Sequence, residues 1–250
     1  ELKVQVTSVT EQWAAMAVAG PNSRALLAGL IEAIDFEDVA FPFMGVRQGR
    51  IGAIPVLVGR LSFSGEMAYE VFAGAGHGLA VWEKILAAGA AYEIVPYGIE
   101  ALGALRIEKG HVSGPELDGR TTLGDLGLAR MASKKKLFIG QALMGRTGLI
   151  APERKRLVGL VSSAQGALRA GAHLVGGADA RQPGRSLGHV TSSTYSPALE
   201  KQIALALLEG GLAHAGQTVF VTDPVRSGAH IAAVVVDHRF YDPDGGHMHG

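Results

Sequence analysis

The chain contains no cysteine, which excludes disulfides, thiolate metal ligands and a cysteine nucleophile together, and fits a reducing compartment. It also lacks net charge. Lys plus Arg and Asp plus Glu both number 23, so no global field draws it to nucleic acid or an anionic membrane, and any anion site has to be local. Long apolar runs are missing as well: stretches such as Ile203 to Leu208 and Ile231 to Val236 fall far short of the ~18 residues of a spanning helix, and no secretory signal opens the sequence. These absences predict a soluble, cytoplasmic protein with no membrane and no nucleic-acid partner. Among the nine histidines there is no HExxH pair, and neither a GxSxG elbow nor a Walker loop occurs. No metal site and no catalytic residue is therefore assigned.

What is present describes a folded protein. Hydrophobic residues make up 48% of 250 and charged residues 18%, enough to form a substantial core in one large domain or two smaller ones. The chain begins at Glu1 without a methionine and moves at once into the alternating run Leu2 to Thr7. That start suggests a strand, and a chain from which something upstream has been removed.

Periodicity divides the sequence into two textures. WAAMAVA (13–19) reads as a strand, and GPNS (20–23) supplies the proline and polar cap of a helix reaching about Leu30. Arg50 to Arg60 and Leu61 to Phe63 form two β runs around Pro55, and Glu66 to Phe72 a further strand. Leu79, Trp82, Ile85 and Leu86 recur at helical spacing, Tyr92 to Val95 is short and β-like, and Ile99, Leu102 and Leu105 mark a second helix ended by Gly110. After Pro152 come short apolar strands at Leu157 to Val161, Leu187 to Thr191, Ile203 to Leu208, Gln217 to Thr222 and Ile231 to Val236. That pattern indicates a small barrel or sandwich. The change places a boundary near 148–156, giving domains 1–150 and 151–250.

One residue interrupts the β pattern. In GEMAYEVFA (65–73), Glu70 lies in the middle of a strand, although glutamate is a poor strand former and is rarely buried alone. Two readings stand. It faces water or a structural ion pair, or it is an acceptor at the floor of a pocket. An ionised carboxylate accepts through two oxygens, so it suits a flat ligand edge with two N–H donors, such as a pterin or guanine. Gly74-Ala75-Gly76-His77-Gly78 with Glu93 mimics a dinucleotide fingerprint, but Leu79 stands where its third glycine belongs. Ser192, Ser193, Thr194 and Ser196 could contact a ligand's carboxylates or phosphates, although a structural hydroxyl-rich turn is the commoner use. The runs Lys134 to Lys136 and Arg154 to Arg156 read as solvated loops or a domain junction, and the His247-Met248-His249 tail as flexible.

Eight stretches, in order, resemble one family. They are AVAGPNSRALL (17–27), LSFSGEMAYEVF (61–72), PYGIEALGALRIEKGH (96–111), ELDGRTTLGDLGL (116–128), FIGQALM (138–144), RLVGLV (156–161), GHVTSSTYSPALEKQIALALL (188–208) and RFYDPDG (239–245). Together they resemble the glycine-cleavage T-protein, or aminomethyltransferase, family. The variants LRIEKGH and GHVTSSTYSP look most like the C-terminal part of heterotetrameric sarcosine oxidase alpha subunits. The resemblance implies an α+β fold: an N-terminally truncated folate-binding aminomethyltransferase-like domain followed by a small C-terminal β-barrel. It also implies tetrahydrofolate as cofactor, with the family's pterin-binding glutamate at Glu70, an aromatic face at Phe63 where the family has tyrosine, and His111 near the folate. Leu102 replaces a family arginine, removing a charged contact.

The activity so implied is the sarcosine oxidase reaction, with the one-carbon unit captured as methylenetetrahydrofolate. Beta, gamma and delta subunits would be partners, and FMN, FAD and NAD would lie elsewhere in the complex. Family members carry further residues of this domain upstream, including an assisting aspartate, so this piece alone is expected to be inactive. An aminomethyltransferase or dimethylglycine-oxidase-like enzyme is the alternative within the superfamily, and a non-catalytic docking scaffold the alternative outside it.

Overall fold

The computed structural model describes residues 3–162, 167–177, 184–223, 225 and 230–249. The chain divides into two compact units, Glu1–Gly98 with Asp244–Gly250, and Ile99–Pro243. The boundary expected near 148–156 lies inside the second unit, where its barrel begins. No helix among the described residues is long and apolar enough to cross a membrane.

The first unit is built on four antiparallel strands. Trp13–Ala19 (β1) leads through Gly20 and Pro21 into helix Ser23–Leu30 (α1); Val46–Ile51 (β2), Ile54–Gly59 (β3) and Ala68–Gly74 (β4) follow, and helix Gly78–Gly89 (α2) follows β4. Their order in the sheet is β1-β4-β3-β2. Pro55 is opposite Arg50 of β2, one place before β3 begins to pair with β4 at Val56. A proline is tolerated there because its missing N–H costs β4 no ladder bond.

Alternation along β4 sends Tyr69, Val71 and Ala73 into the core, where they join Leu26 and Leu27 of α1 and Val81 and Ile85 of α2. Tyr69 is completely buried, and its ring meets Phe36 edge-on at 5.4 Å and Phe41 at 5.7 Å. Such aromatic contacts stabilise beyond the area they bury.

Several local expectations change. In α2 the buried positions are Val81, Ile85 and Gly89, while Leu79 and Trp82 are exposed, so the period was legible and the face was not. Lys3 to Thr7, Leu61 to Phe63 and Tyr92 to Val95 are not strands, and Leu2 lies outside the described residues. Alternation makes a strand only where a neighbouring backbone supplies the ladder. Tyr92 instead ends a 3₁₀ turn that Glu93 closes at φ 55°. The histidine tail is ordered as a helical turn, Gly246–His249. Buried Arg60 donates to the His249 carbonyl at 2.7 Å, and the His249 ring meets Phe43 edge-on at 4.9 Å.

The second unit contains helix Ile99–Lys109 (α3) and six strands: Lys155–Ser162 (β5), His173–Val175 (β6), Gly188–Ser196 (β7), Lys201–Glu209 (β8), Thr218–Thr222 (β9) and His230–Val236 (β10). They close into a barrel in the order β10-β5-β8-β7-β6-β9. The three-residue β6 is the strand that periodicity missed. In β8, Ala204, Ala206 and Leu208 fill one cluster with Val158, Leu160, Val190 and Val235, while Ile203, Leu205 and Leu207 join a second with Ile107 of α3.

A bulge in β7 decides which way its hydroxyls point. Val190 pairs with Ala206 but Ser192 pairs with Leu205, so Thr191 is an extra residue that turns the rest of the strand over. Ser192 thereby leaves the face of Val190 and reaches the cluster around α3. Its hydroxyl donates to Glu116 Oε1 and accepts from Arg106 Nη2, each at 2.6 Å, while Arg106 Nη1 donates to Glu116 Oε2 at 3.0 Å. The Ser113 N–H adds a bond to Glu116 at 2.8 Å. Nearby, Ser196 donates to Glu108, and Lys109 pairs with Asp242 at 2.7 Å. These bonds hold the last turn of α3, in which Arg106, Ile107, Glu108 and Lys109 are all buried while Ile99 is 84% exposed. The expected Ile99, Leu102, Leu105 stripe is therefore not what fixes the helix.

Gly110 ends α3 at φ 76°, and a β-carbon there would lie 2.4 Å from the His238 carbonyl oxygen. Only glycine meets both demands. The His238 imidazole is largely buried; its Nδ1 makes no hydrogen bond among the described residues and lies 3.6 Å from Asp237. Burial pushes its pKa down; Asp237 opposes this, and Arg239 and His111 add to it.

Two outcomes follow. Glu116→Ala leaves the Arg106 guanidinium buried without its carboxylate, and a loss of about 3–5 kcal/mol in chemical unfolding is expected. A histidine pKa held below its unfolded value contributes stability that is present above about pH 6.5 and lost as pH falls. His238→Gln is accordingly expected to flatten the acid side of the stability profile, read as unfolding midpoint against pH.

Candidate functional site

The burial of Tyr69 and Val71 leaves Ala68, Glu70 and Phe72 on the opposite face of β4. Glu70 is partly buried there. Its cross-strand neighbours are Ala17 of β1 and Gly59 of β3, so neither carries a polar group that could pair with it. Among the described residues its carboxylate makes no hydrogen bond or ion pair. Asp38 of the same unit, by contrast, receives Arg24 and Arg60. Of the plain readings of Glu70, the structural ion pair is absent among the described residues, and a side chain facing water stands beside the acceptor reading. A half-buried acceptor without a partner is suited to an incoming N–H edge.

The loop before β4 is shaped by its own sequence. Gly65 takes φ 90°, the Ser62 hydroxyl accepts from the Gly65 N–H at 3.0 Å, and the Ser64 hydroxyl accepts from the Glu66 N–H at 3.4 Å. The Met67 carbonyl then accepts from Gly20 N–H at 2.9 Å and from the Ser23 hydroxyl at 3.0 Å. Two motifs distant in sequence, AVAGPNS and SFSGEMAYE, are joined at this carbonyl. Phe63, on the same loop, is 41% exposed. His111 belongs to the second unit, directly after Gly110, where its N–H donates to the Arg106 carbonyl at 2.9 Å and its own carbonyl accepts from Arg106 Nη1 at 3.2 Å.

The remaining candidates have structural uses. Gly74 to Gly78 joins β4 to α2 through a 3₁₀ turn, but every strand pair of this sheet is antiparallel. The βαβ unit of a dinucleotide site is therefore missing. Ser192 to Ser196 form part of β7 rather than a turn, and Ser192 and Ser196 are committed to Glu116 and Glu108. Arg154 is bound to Asp125, with Nε to Oδ1 at 3.0 Å. Burial alone raises the Asp125 carboxyl, but hydrogen bonds from Arg154 and Thr122 and the charge of Arg154 outweigh it and hold the pKa below the usual value. Lys134 to Lys136 are exposed.

Arg106, Glu108, Lys109, Glu116 and Asp125 lie within the family-like motifs, but nothing in the local pattern shows that they are buried with polar partners. Their signal was a cluster of charges, RIEK, directly before the glycine that ends a helix. Their partners lie as far away as Asp242, which local patterning does not reach.

Comparison with known proteins agrees with this architecture. Residues 1–136 match the GCVT N-terminal domain, and residues 155–242 the glycine cleavage T-protein C-terminal barrel domain. All of the chain aligns, at 40% identity over 253 residues, with 25% of the sarcosine oxidase subunit alpha of Rhizobium meliloti (strain 1021). The aminomethyltransferase of Bacillus subtilis (strain 168) is 32% identical over 223 residues, covering 87% of this chain and 59% of that protein. The crystal structure of glycine cleavage system aminomethyltransferase T from Bartonella henselae matches with a TM-score of 0.75 at 25% identity, over 92% of this chain and 60% of that one. The chain spans about a quarter of the length of the sarcosine oxidase relatives it matches. With an aminomethyltransferase-like α+β fold and a closed C-terminal barrel, the chain belongs to the glycine cleavage T-protein family.

Proposed function

We propose that this chain is the tetrahydrofolate-binding region of a sarcosine oxidase alpha subunit. Its task is to hold tetrahydrofolate so that the folate receives the one-carbon unit released when sarcosine is oxidatively demethylated. The observation that carries the reading is the carboxylate of Glu70, without a partner among the described residues and standing partly buried between Ala17 and Gly59. Two parallel N–H donors on a pterin edge would satisfy it, and a charge-assisted pair of this kind orients as well as binds. Phe63 supplies apolar packing for the ring. His111 enters the proposal on family likeness alone.

Neither Glu70 nor Phe63 is proposed as acid or base. Their contribution is positional, converting a diffusive encounter into a fixed one. The flavin chemistry, and the FMN, FAD and NAD it needs, belong to other parts of the complex, and beta, gamma and delta subunits are the proposed partners. The cytoplasm is the proposed location.

A second reading, an aminomethyltransferase, draws on the similarity to the Bacillus subtilis enzyme. Sarcosine oxidation with assembled subunits, compared with transfer from an aminomethyl-lipoyl carrier, separates the two. The folate reading is tested by titrating tetrahydrofolate into the full-length protein and its Glu70→Gln variant. Loss of a charged acceptor is expected to weaken binding by about tenfold or more; equal affinities would remove Glu70 from the site.

A further inference from the structure

The two sides of Glu70 are not alike. On β3, the absent side chain of Gly59 does not leave a gap, because a β-carbon built there meets Leu61 Cδ1 at 3.2 Å and Cγ at 3.5 Å. Gly59 is the direct cross-strand partner of Glu70, so its β-carbon direction is that of the glutamate, and Leu61 therefore covers the β3 side of the same face. One pleat further along, Phe72 stands beside Leu57, again on this face. Leu61, Leu57 and Phe72 give Glu70 an apolar boundary on one side.

On β1 the situation is reversed. Ala17 is directly opposite Glu70 and Ala15 opposite Phe72, and both alanines are exposed. A methyl group reaches only a short way above the pleat, whereas the glutamate carboxylate stands three carbons beyond its own backbone. Directly opposite Glu70, β1 therefore raises only an exposed methyl group, below the height of the carboxylate.

We infer that Ala17 is the specificity-determining residue of the Glu70 site, and that the flat ring recognised by Glu70 seats over β1 on the Ala17 methyl, not over β3. This deepens the folate reading and rests on it. The ring plane then lies roughly along the sheet, with its two N–H donors directed at the carboxylate from the β1 side and its underside in van der Waals contact with alanine. A planar ring with a donor edge, such as a pterin, meets these conditions; a tetrahedral anion would meet a like charge at Glu70. Leu61 closes the other approach, so binding is one-sided. An alanine here is required by the ligand and not by the fold, since its side chain packs into no core.

The test uses the full-length protein and tetrahydrofolate, with affinities measured by calorimetry for wild type, Ala17→Leu, Ala17→Val, Ala15→Leu, Leu61→Ala and Glu70→Gln. Ala17→Leu is expected to weaken binding by about tenfold or more, the scale of an overfilled contact. Ala17→Val should fall between it and wild type, and Leu61→Ala should stay within about twofold of wild type. Ala15→Leu, one pleat away, separates local blockage from a general effect of enlarging β1 and is expected to cost less than Ala17→Leu. Unfolding midpoints identify any variant that is simply unfolded, and the valine variant keeps the comparison usable if leucine is not accommodated. If wild type does not bind, the folate reading fails; if wild type and Glu70→Gln bind equally, Glu70 leaves the site and this inference, which is built on it, is overturned. If Glu70→Gln loses affinity while folded Ala17→Leu and Ala17→Val bind as wild type does, the folate reading stands and this inference is overturned. A loss concentrated in Leu61→Ala would also overturn it, by moving the ring to β3.

Discussion

The pleat of β4 is the constraint on which the candidate site depends. Tyr69 is fully buried against Phe36 and Phe41, and Val71 and Ala73 share its face. A strand offers its side chains two directions only, so once these three occupy the core, Glu70 has no other place than the far face. Slipping the register by one residue would bury the carboxylate and expose the tyrosine. The cost of burying an unpaired charge makes that alternative inaccessible. Glu70 is thus held not by partners of its own but by the packing of its neighbours, which leaves its oxygens free to accept from elsewhere.

In the second unit the same logic is met by different means. Arg106, Glu116 and Ser192 are buried side by side, and each has its hydrogen bonds supplied by the others. A network of this kind is tolerable only when it is complete, because the low dielectric that strengthens a made bond also penalises a missing one. The extra residue at Thr191 provides that completeness by redirecting Ser192 from the barrel interior toward the charges. Arg106 also holds the backbone of His111: its main-chain carbonyl accepts from the His111 N–H, and its guanidinium donates to the His111 carbonyl.

Much of the architecture was legible in the sequence because it rests on short-range physics. The strands around 13–19, 66–72, 157–161, 203–208 and 231–236, and the helices beginning near Ser23, Gly78 and Ile99, follow from periodicity and from proline and glycine placement. Legibility ended where a choice depended on a distant neighbour. The helical spacing of Leu79, Trp82 and Ile85 was real, yet the core received Val81 and Ile85. The three residues of β6 carry too short a pattern to be seen, and they are a strand because β7 and β9 lie on either side. The histidine tail read as free because nothing local anchors it; Arg60 supplies the anchor from 189 positions away.

By itself the sequence determined that this is a cysteine-free, charge-balanced chain mixing helix and strand, with a C-terminal part of short strands suited to a small barrel or sandwich, and that Glu70 is out of keeping with its strand. Those conclusions need only composition and the two periods of secondary structure. The tertiary structure decided whether that glutamate has a partner, which side of it is open, and which serines are spent on buried charges. These are questions of register and of contact between remote segments, and their answers are set by which side chains fill a shared core, a property of the folded chain that no local window contains.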